Sequence, residues 1–129
     1  MFAYFNILYL DLIEKAPKGS IRNRIYREYK KLGLSSEPDK GNNAVHASAS
    51  PFEGLAEKTN WLGRSIEKDE FGVACIKDGK MKRKMLVDFC KDPQVQLSSD
   101  GSKGSLFDAL EDLDASECYM KLMEIKELQ

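Results

Sequence analysis

The strongest folding signal in this sequence is the helix start formed by residues 50–53, Ser-Pro-Phe-Glu. A serine at the N-cap can accept a hydrogen bond from a backbone amide of the first turn, and proline is suited to the first helical position. A glutamate three residues after the serine can return a capping-box hydrogen bond. With Gly63 as a suitable end, the pattern predicts an amphipathic helix. Five residues share one face of this helix: Phe52, Leu55, Ala56, Thr59 and Leu62.

Weaker patterns organise the chain before this helix. Residues 2–13 are apolar and read equally as a strand or a helix. They are fewer than the ~20 residues of a membrane span and have no basic leader, which favours a buried element over a signal or an anchor. A basic amphipathic pattern predicts a helix from Ser20 that ends at Gly33. Turn-forming residues then predict a surface loop over residues 35–41.

The chain after Gly63 also reads as mainly helical. Helical pieces are expected at residues 67–78 and 81–91, followed by a polar linker over residues 98–104. Ser105 can cap a final amphipathic helix. The apolar positions of that helix include Leu106, Leu110, Leu113, Leu122, Ile125 and Leu128.

The composition allows one modest hydrophobic core, since the chain has 129 residues of which 42% are hydrophobic. The 20 lysines and arginines are balanced by 21 acidic residues. No global field is therefore available to hold nucleic acid or an anionic membrane, and nucleic-acid binding by the basic helix is disfavoured. The three cysteines are widely spaced, which indicates reduced thiols in a cytoplasmic protein.

The chain has a single histidine, His46, a few residues before the predicted helix. A single histidine is more often structural than catalytic, so a catalytic role must be judged from the residues around it. A neutral imidazole has a bare nitrogen near neutral pH and can accept a phosphoryl group. It needs a carboxylate that accepts a hydrogen bond from the other ring nitrogen and stabilises the charge that develops on attack. Glu57, in the second turn of the predicted helix, is the candidate.

The residues around His46 form a spaced pattern. Residues 43–50 read Asn-Ala-Val-His-Ala-Ser-Ala-Ser, with a glutamate eleven residues after the histidine and a tryptophan fifteen residues after it. Upstream, residues 17–22 read Pro-Lys-Gly-Ser-Ile-Arg. The first pattern resembles the Asn-x-x-His-[Gly/Ala]-Ser-x-Ser signature of nucleoside diphosphate kinases, in which glutamate and tryptophan follow at the same spacing. The second is similar to the family's Pro-Gly-Thr-Ile-Arg segment with one residue inserted.

The resemblance implies a role for each matching residue. His46 would be the phosphorylated nucleophile, Glu57 its orienting carboxylate, and Ser48 the hydroxyl that supports this pair. Asn43 would contact the nucleotide sugar, and Arg22 the phosphates. The family transfers the terminal phosphate of a nucleoside triphosphate to a nucleoside diphosphate through a phosphohistidine, in a ping-pong reaction. Magnesium is implied as Mg²⁺ bound to the nucleotide, with few or no direct protein ligands.

The match departs from the family in two places. It covers residues 16–62, and the family's opening strand with its Lys-Pro-Asp motif has no counterpart before it. A fragment, a divergent member with an early truncation and a misplaced gene start would each explain this. Without that lysine the chain is expected to be slow or inactive by itself. Arg22 and His46 are also further apart than in the family, so the stretch over residues 26–37 is expected to loop out.

The resemblance also implies a fold and partners. The fold class is α/β (α+β), an incomplete or divergent ferredoxin-like domain that is mostly helical in this chain, with Trp61 in the core. The partners are nucleoside tri- and diphosphates and a homo-oligomer, with no membrane. The competing function is a catalytically weak or inactive fragment that binds nucleotide or a protein. We predict four segments: a partial kinase-like domain at 1–62, a helical extension at 63–97, a linker at 98–104 and a C-terminal helix at 105–129.

Overall fold

The computed structural model describes residues 15–39 and 41–129, so the apolar element predicted over residues 2–13 lies outside the described residues. The chain divides into two compact units, Met1–Ala47 and Ser48–Gln129. The predicted division placed the helix that begins with Ser-Pro-Phe-Glu in the N-terminal segment. In the structure this helix belongs to the second unit, because it packs against helices that follow it in the chain.

The first unit contains one α-helix among its described residues, α1 (Ile21–Glu28). Ser20 is the N-cap, and its hydroxyl oxygen accepts a hydrogen bond from the amide of Asn23 at 3.2 Å. The turn that follows closes at Gly33, which has a φ of 79° and whose amide donates to the carbonyl of Lys30 at 3.1 Å. The predicted helix start at Ser20 is therefore confirmed, but the helix ends at Glu28 rather than continuing to Gly33, and residues 29–33 form a turn. None of the residues of α1 is buried, so its apolar face is not part of a core.

The second unit is a helical assembly with a small hairpin. A short 3₁₀ helix, Ile66–Lys68, joins the first two of its α-helices. The hairpin strands are β1 (Gln94–Gln96) and β2 (Lys103–Ser105). The α-helices are α2 (Pro51–Asn60), α3 (Glu70–Lys77), α4 (Arg83–Phe89), α5 (Leu106–Leu110) and α6 (Ala115–Glu127). The predicted helical pieces after Gly63 thus correspond to α3 and α4.

Helix α2 begins as its sequence predicts. The hydroxyl oxygen of Ser50 accepts a hydrogen bond from the amide of Glu53 at 3.1 Å, and Pro51 occupies the first helical position. The carboxylate of Glu53 accepts from the amide of Ala49 at 2.5 Å, one residue before the cap. The predicted apolar face is buried over its first two turns only. Leu62 is 66% exposed, because the helix ends two residues before it.

The predicted linker over residues 98–104 is the loop and second strand of the hairpin instead. Strands β1 and β2 pair antiparallel with Val95 opposite Gly104, and the amide of Leu97 donates to the carbonyl of Ser102 at 2.8 Å. Serine, aspartate and glycine are as suited to reversing a chain as to linking two domains. Strands of three residues are also too short for their period to stand out in the sequence.

The single helix predicted after Ser105 is wrong, since the segment forms α5 and α6. Ser105 caps α5, as predicted. Asp112 then takes a left-handed φ of 60°, which ends the helical run. Asp114 starts α6 through a capping box, in which its side chain and that of Glu117 each accept a hydrogen bond from the other residue's amide.

The buried side chains of the second unit form one hydrophobic core. The aromatic ring of Phe52 lies near its centre, with its centroid 6.0 Å from that of Phe107 and 6.5 Å from that of Phe71. The structure is about 48% helical with a small antiparallel sheet, which confirms the coarse α+β class. Among the described residues, no helix has the length and apolar character needed to cross a membrane. The core comprises Phe52, Leu55, Ala56, Ile66, Cys75, Met81, Leu86, Phe89, Cys90, Val95, Leu106, Leu110, Cys118, Leu122 and Ile125.

All three cysteines belong to this core and carry free thiols. Burial raises the pKa of Cys75 to about 12, with further contributions from Cys118 and Cys90. Burial also raises the pKa of Cys90 to about 11, and that of Cys118 above its ordinary value. Because the thiolate is the reactive form, these thiols should be inert in the folded protein.

We therefore expect no rapid alkylation of the native chain by iodoacetamide at neutral pH. The same reagent should modify all three cysteines once urea unfolds the second unit. Intact-mass spectrometry after timed quenching measures both reactions. Rapid modification of any one thiol under native conditions would contradict its placement in the core.

Candidate phosphotransfer site

Two of the predicted catalytic residues contact each other in the second unit. The hydroxyl of Ser48 donates a hydrogen bond to Oε2 of Glu57 at 2.5 Å. Ser48 lies two residues before the N-cap of α2, and Glu57 lies in the second turn, so the capped helix start fixes the geometry between them. Gly54 faces the same place, since a Cβ on it would lie 3.5 Å from Oγ of Ser48. Ser48 is exposed and Glu57 is half-buried, so the pair lies at the surface of the unit.

The other predicted site residues lie in the first unit and surround the segment before His46. A side-chain nitrogen of Arg22, Nη2, donates to the carbonyl of Val45 at 3.5 Å. The side-chain oxygen of Asn43 accepts from the amide of Val45 at 3.0 Å. Ala44, between them in the chain, has a left-handed φ of 56° and so turns the backbone. Both predicted nucleotide-binding residues therefore hold the residue that precedes His46.

The structure brings Arg22 to this segment although twenty-four positions separate it from His46 (46 − 22). The intervening stretch is drawn together by the hydroxyl of Tyr26, which donates to Oε1 of Glu37 at 3.3 Å. These residues bound the stretch that was expected to loop out. Arg22 thus lies next to the histidine segment within the first unit.

His46 itself is exposed and lies at the end of the first unit, while Ser48 and Glu57 belong to the second. The pairing of His46 with Glu57 therefore stays a prediction. The exposed position suits a residue that must meet a substrate in solution. A histidine packed inside a core would have excluded the predicted role.

The predicted site residues differ in their suitability as ligands of Mg²⁺. They comprise one imidazole, one carboxylate, one hydroxyl, one amide and one guanidinium. Mg²⁺ prefers oxygen ligands and keeps several waters, and it is usually held through phosphates and one or two carboxylates. Glu57 already accepts the hydroxyl of Ser48, and the amide oxygen of Asn43 already accepts a backbone N–H. The nucleotide-bound Mg²⁺ therefore stays a prediction.

The expectation that Trp61 packs in the core is wrong, since 66% of its surface is exposed. Helix α2 ends at Asn60, so Trp61 no longer lies on the buried face of the helix. Its amide donates to the carbonyl of Glu57 at 2.8 Å and closes the last turn. Trp61 is therefore the C-cap residue of α2 and not part of the core.

Sequence reasoning missed a cavity beside the C-terminal end of α2. Lys58 and Asp69 form an ion pair on its wall, with Nζ and Oδ2 2.6 Å apart. The only signal in the sequence was a group of basic residues around Gly63, and such groups are usually solvated surface. The folded chain was needed to show which of these residues share a wall.

Comparisons of the chain with protein-family models, with curated proteins and with solved structures found no match. The residues of the chain itself therefore carry the functional inference.

Proposed function

We propose that this chain is a nucleoside diphosphate kinase that works through phospho-His46. The observation that carries the proposal is the 2.5 Å hydrogen bond between Ser48 and Glu57, which lie two and eleven residues after the histidine. A hydroxyl that donates to the carboxylate fixes the orientation of that carboxylate, and an oriented carboxylate is what a phosphoryl-accepting imidazole requires. The contact joins two of the three residues to which the resemblance assigns catalytic roles.

The proposed reaction has two half-reactions of the same kind. The bare nitrogen of His46 attacks the γ-phosphorus of a nucleoside triphosphate, an N–P bond forms, and the bond to the β-phosphate oxygen breaks. Glu57 accepts a hydrogen bond from the other ring nitrogen and stabilises the positive charge that develops on the imidazole. The diphosphate leaves, and the terminal phosphate oxygen of a second nucleoside diphosphate then attacks the phosphorus of phospho-His46, so that an O–P bond forms, the N–P bond breaks and the imidazole is regenerated. Mg²⁺ on the nucleotide would neutralise phosphate charge.

The remaining parts of the proposal concern binding and assembly. Arg22 would bind the phosphates and Asn43 the sugar. The fold would be a divergent ferredoxin-like kinase domain, acting in the cytoplasm and in a homo-oligomer. These assignments follow the resemblance, and the contacts of Arg22 and Asn43 around Val45 support them by holding both residues at the histidine segment.

The second candidate function is a nucleotide-binding or protein-interaction module with little or no activity. Phosphoryl transfer depends on positive charge placed around the transferred oxygens. Arg22 is the one cation assigned to the phosphates, and its guanidinium already donates to the carbonyl of Val45. This observation favours a weak catalyst, and rate measurements separate the two functions.

Incubation with γ-labelled ATP and Mg²⁺ tests the proposal directly. Phosphohistidine is labile to acid and stable to alkali, so we expect label with both properties, and its loss on addition of an unlabelled nucleoside diphosphate. Label that forms and does not transfer contradicts the exchange reaction. Absence of label over hours, with the chain folded by circular dichroism, would establish the inactive module instead.

Changing Glu57→Gln is expected to slow phosphorylation of the chain by about 100-fold, since the amide keeps the shape of the carboxylate and loses its charge. Ser48→Ala should slow phosphorylation of the chain by about 10-fold, because it removes one hydrogen bond to a charged group. Single-turnover labelling at saturating ATP measures the rate constants. Glu70→Gln is the matched control, because it removes the same charge from an exposed position in α3 and should leave the rate unchanged. A Glu57→Gln variant as fast as the wild-type chain would refute the role of the carboxylate.

A further inference from the structure

The second unit contains a cavity of about 450 Å³ between the end of α2 and the start of α3. Sites for small molecules measure ~300–1,000 Å³, so the cavity has room for one. Gly63 turns the chain at its rim with a φ of 61°, and the amide of Arg64 holds this turn by donating to the carbonyl of Lys58 at 3.0 Å. None of the predicted phosphotransfer residues lines it. The lining residues are Leu55, Lys58, Thr59, Gly63, Arg64, Ser65, Lys68 and Asp69.

The cavity wall carries more positive than negative charge. Asp69 is the one carboxylate among the eight lining residues, against three basic side chains. Its Oδ2 pairs with Nζ of Lys58 at 2.6 Å, and its Oδ1 accepts from the amide of Phe71 at 3.0 Å. Burial alone would raise the pKa of Asp69, but the hydrogen bonds from Lys58 and from the amides of Gly72 and Phe71 outweigh it and hold the pKa below its usual value. Asp69 is therefore ionised and already neutralised by Lys58.

Arg64 and Lys68 supply the surplus charge. Both are exposed, and neither forms an ion pair with a carboxylate of residues 15–39 or 41–129. Glu67 lies between them in sequence, but its carboxylate pairs with Arg83 and accepts the hydroxyl of Ser65. Hydrogen bonds from Ser65 and Arg83 lower the pKa of Glu67 to about 2. The negative charge of Glu67 therefore pairs with Arg83 and does not neutralise Arg64 or Lys68. Two positive charges thus remain at the mouth of the cavity.

The interior of the cavity has a different character from its mouth. Leu55 is 1% exposed and forms an apolar floor. The hydroxyl of Thr59 donates to the carbonyl of Leu55 at 2.9 Å, and that of Ser65 donates to Glu67, so neither is left to donate to a ligand. A ligand that fits must present an anion to the mouth and an apolar part to the floor. Arginine and lysine together are a common pair for a phosphate group, because arginine offers a fork of donors and lysine a mobile charge.

We propose that this cavity binds a small phosphorylated organic molecule, with the phosphate held by Arg64 and Lys68 and the organic part on Leu55. The site is an addition to the proposed phosphotransfer function and does not depend on it. The bound ligand would stabilise the segment that connects α2 and α3. It would also change the environment of Trp61, which is two residues from Thr59 and Gly63. Trp61 is the one tryptophan of the chain.

Isothermal titration of the full chain with phenyl phosphate and with inorganic phosphate tests the proposal. We expect saturable binding of phenyl phosphate, at least about 5-fold tighter than that of inorganic phosphate, because apolar area is removed from water as well. The double variant Arg64→Gln, Lys68→Gln should lower the affinity for phenyl phosphate by about 10-fold or more, since charge-assisted hydrogen bonds are lost. The fluorescence of Trp61 should change during the wild-type titration and provides a second readout.

The matched control is the double variant Lys77→Gln, Lys103→Gln, which removes the same charge from two exposed positions outside the cavity. It should bind phenyl phosphate within about twofold of the wild-type chain, as expected for solvent-screened charges. Equal weakening in both double variants would overturn the site, as would equal affinity for the two phosphates or absence of saturable binding. The titrations are repeated with His46→Ala, where binding should persist, so failure of this proposal is distinct from failure of phosphotransfer.

Discussion

Replacing His46 by alanine is expected to abolish acid-labile labelling of the chain by γ-labelled ATP. The chain has one histidine, so the substitution removes the only residue that can form a phosphohistidine. The imidazole is exposed, and surface substitutions usually change the free energy of unfolding by less than ~0.5 kcal/mol. Loss of label with an unchanged urea midpoint would therefore assign the phosphoryl group to His46 rather than to a folding defect.

Asn42→Ala is the matched control for this experiment. Asn42 is exposed in the same loop, and its backbone carbonyl, which the substitution keeps, accepts from the amide of Asp39 at 3.0 Å. This variant should label like the wild-type chain. Acid-labile label that survives in His46→Ala would place the phosphoryl group on another side chain and refute the proposed site.

The helices around the site could be predicted because each helix start is determined by residues close together in the sequence. Ser20 caps α1 and Ser50 caps α2, each by accepting an amide of its own first turn. Such contacts involve residues three positions apart, so no tertiary structure is needed to recognise them. The contact between Ser48 and Glu57 follows from the same local geometry, since both residues lie within two turns of one helix start.

Features that depend on competing local signals were predicted less well. The Asp-x-x-Glu signal at Asp114 was present, yet the apolar spacing favoured one continuous helix across it. The backbone of Asp112 turns left-handed there, and apolar periodicity contains no information about such a residue. The hairpin was missed for a similar reason, because its loop composition is also that of a linker.

Contacts between distant residues could not be derived from local sequence patterns, and the expectation that Arg22 lies near the histidine segment came from the family resemblance alone. The approach of Arg22 to Val45 joins residues twenty-three positions apart and depends on how the intervening loop folds. The pairing of Lys58 with Asp69 depends on the turn at Gly63 between them. In both cases the sequence names the charged residues, and only the folded chain shows which groups they meet.

The position of Glu57 depends on the packing of α2, so the proposed function is linked to the core. Phe52 lies in the first turn of α2 and is fully buried, with its ring against those of Phe71 and Phe107. Phe107, in α5, is nearly perpendicular to it, at an interplanar angle of 81°. Aromatic pairs of this geometry add ~0.5–1.5 kcal/mol to the free energy of area burial. Phe52 therefore fixes the helix that holds both Glu57 and the rim of the cavity.

Replacing Phe52 by alanine is expected to lower the free energy of unfolding of the second unit by about 3–5 kcal/mol, the range for a fully buried phenylalanine. Urea unfolding followed by far-UV circular dichroism measures the change, because among residues 15–39 and 41–129 most of those in helices lie in this unit. Trp61 would be a poor probe, since it is already 66% exposed in the folded chain. Phe52→Leu should lower the free energy of unfolding by a smaller amount, because leucine keeps part of the buried volume.

Leu62→Ala provides the contrast that locates the effect in the core. Leu62 was predicted on the same helix face as Phe52, but it is 66% exposed and should cost less than ~0.5 kcal/mol. A loss of several kcal/mol at Leu62 would contradict its exposure beyond the end of α2, and a loss below ~1 kcal/mol at Phe52 would contradict the burial of its ring in the core. The Phe52→Leu variant, assayed at a urea concentration below its unfolding midpoint, distinguishes a shift of α2 on the core from unfolding of the unit. Slower labelling of that folded variant would show that Glu57 acts through the position of α2 on the core.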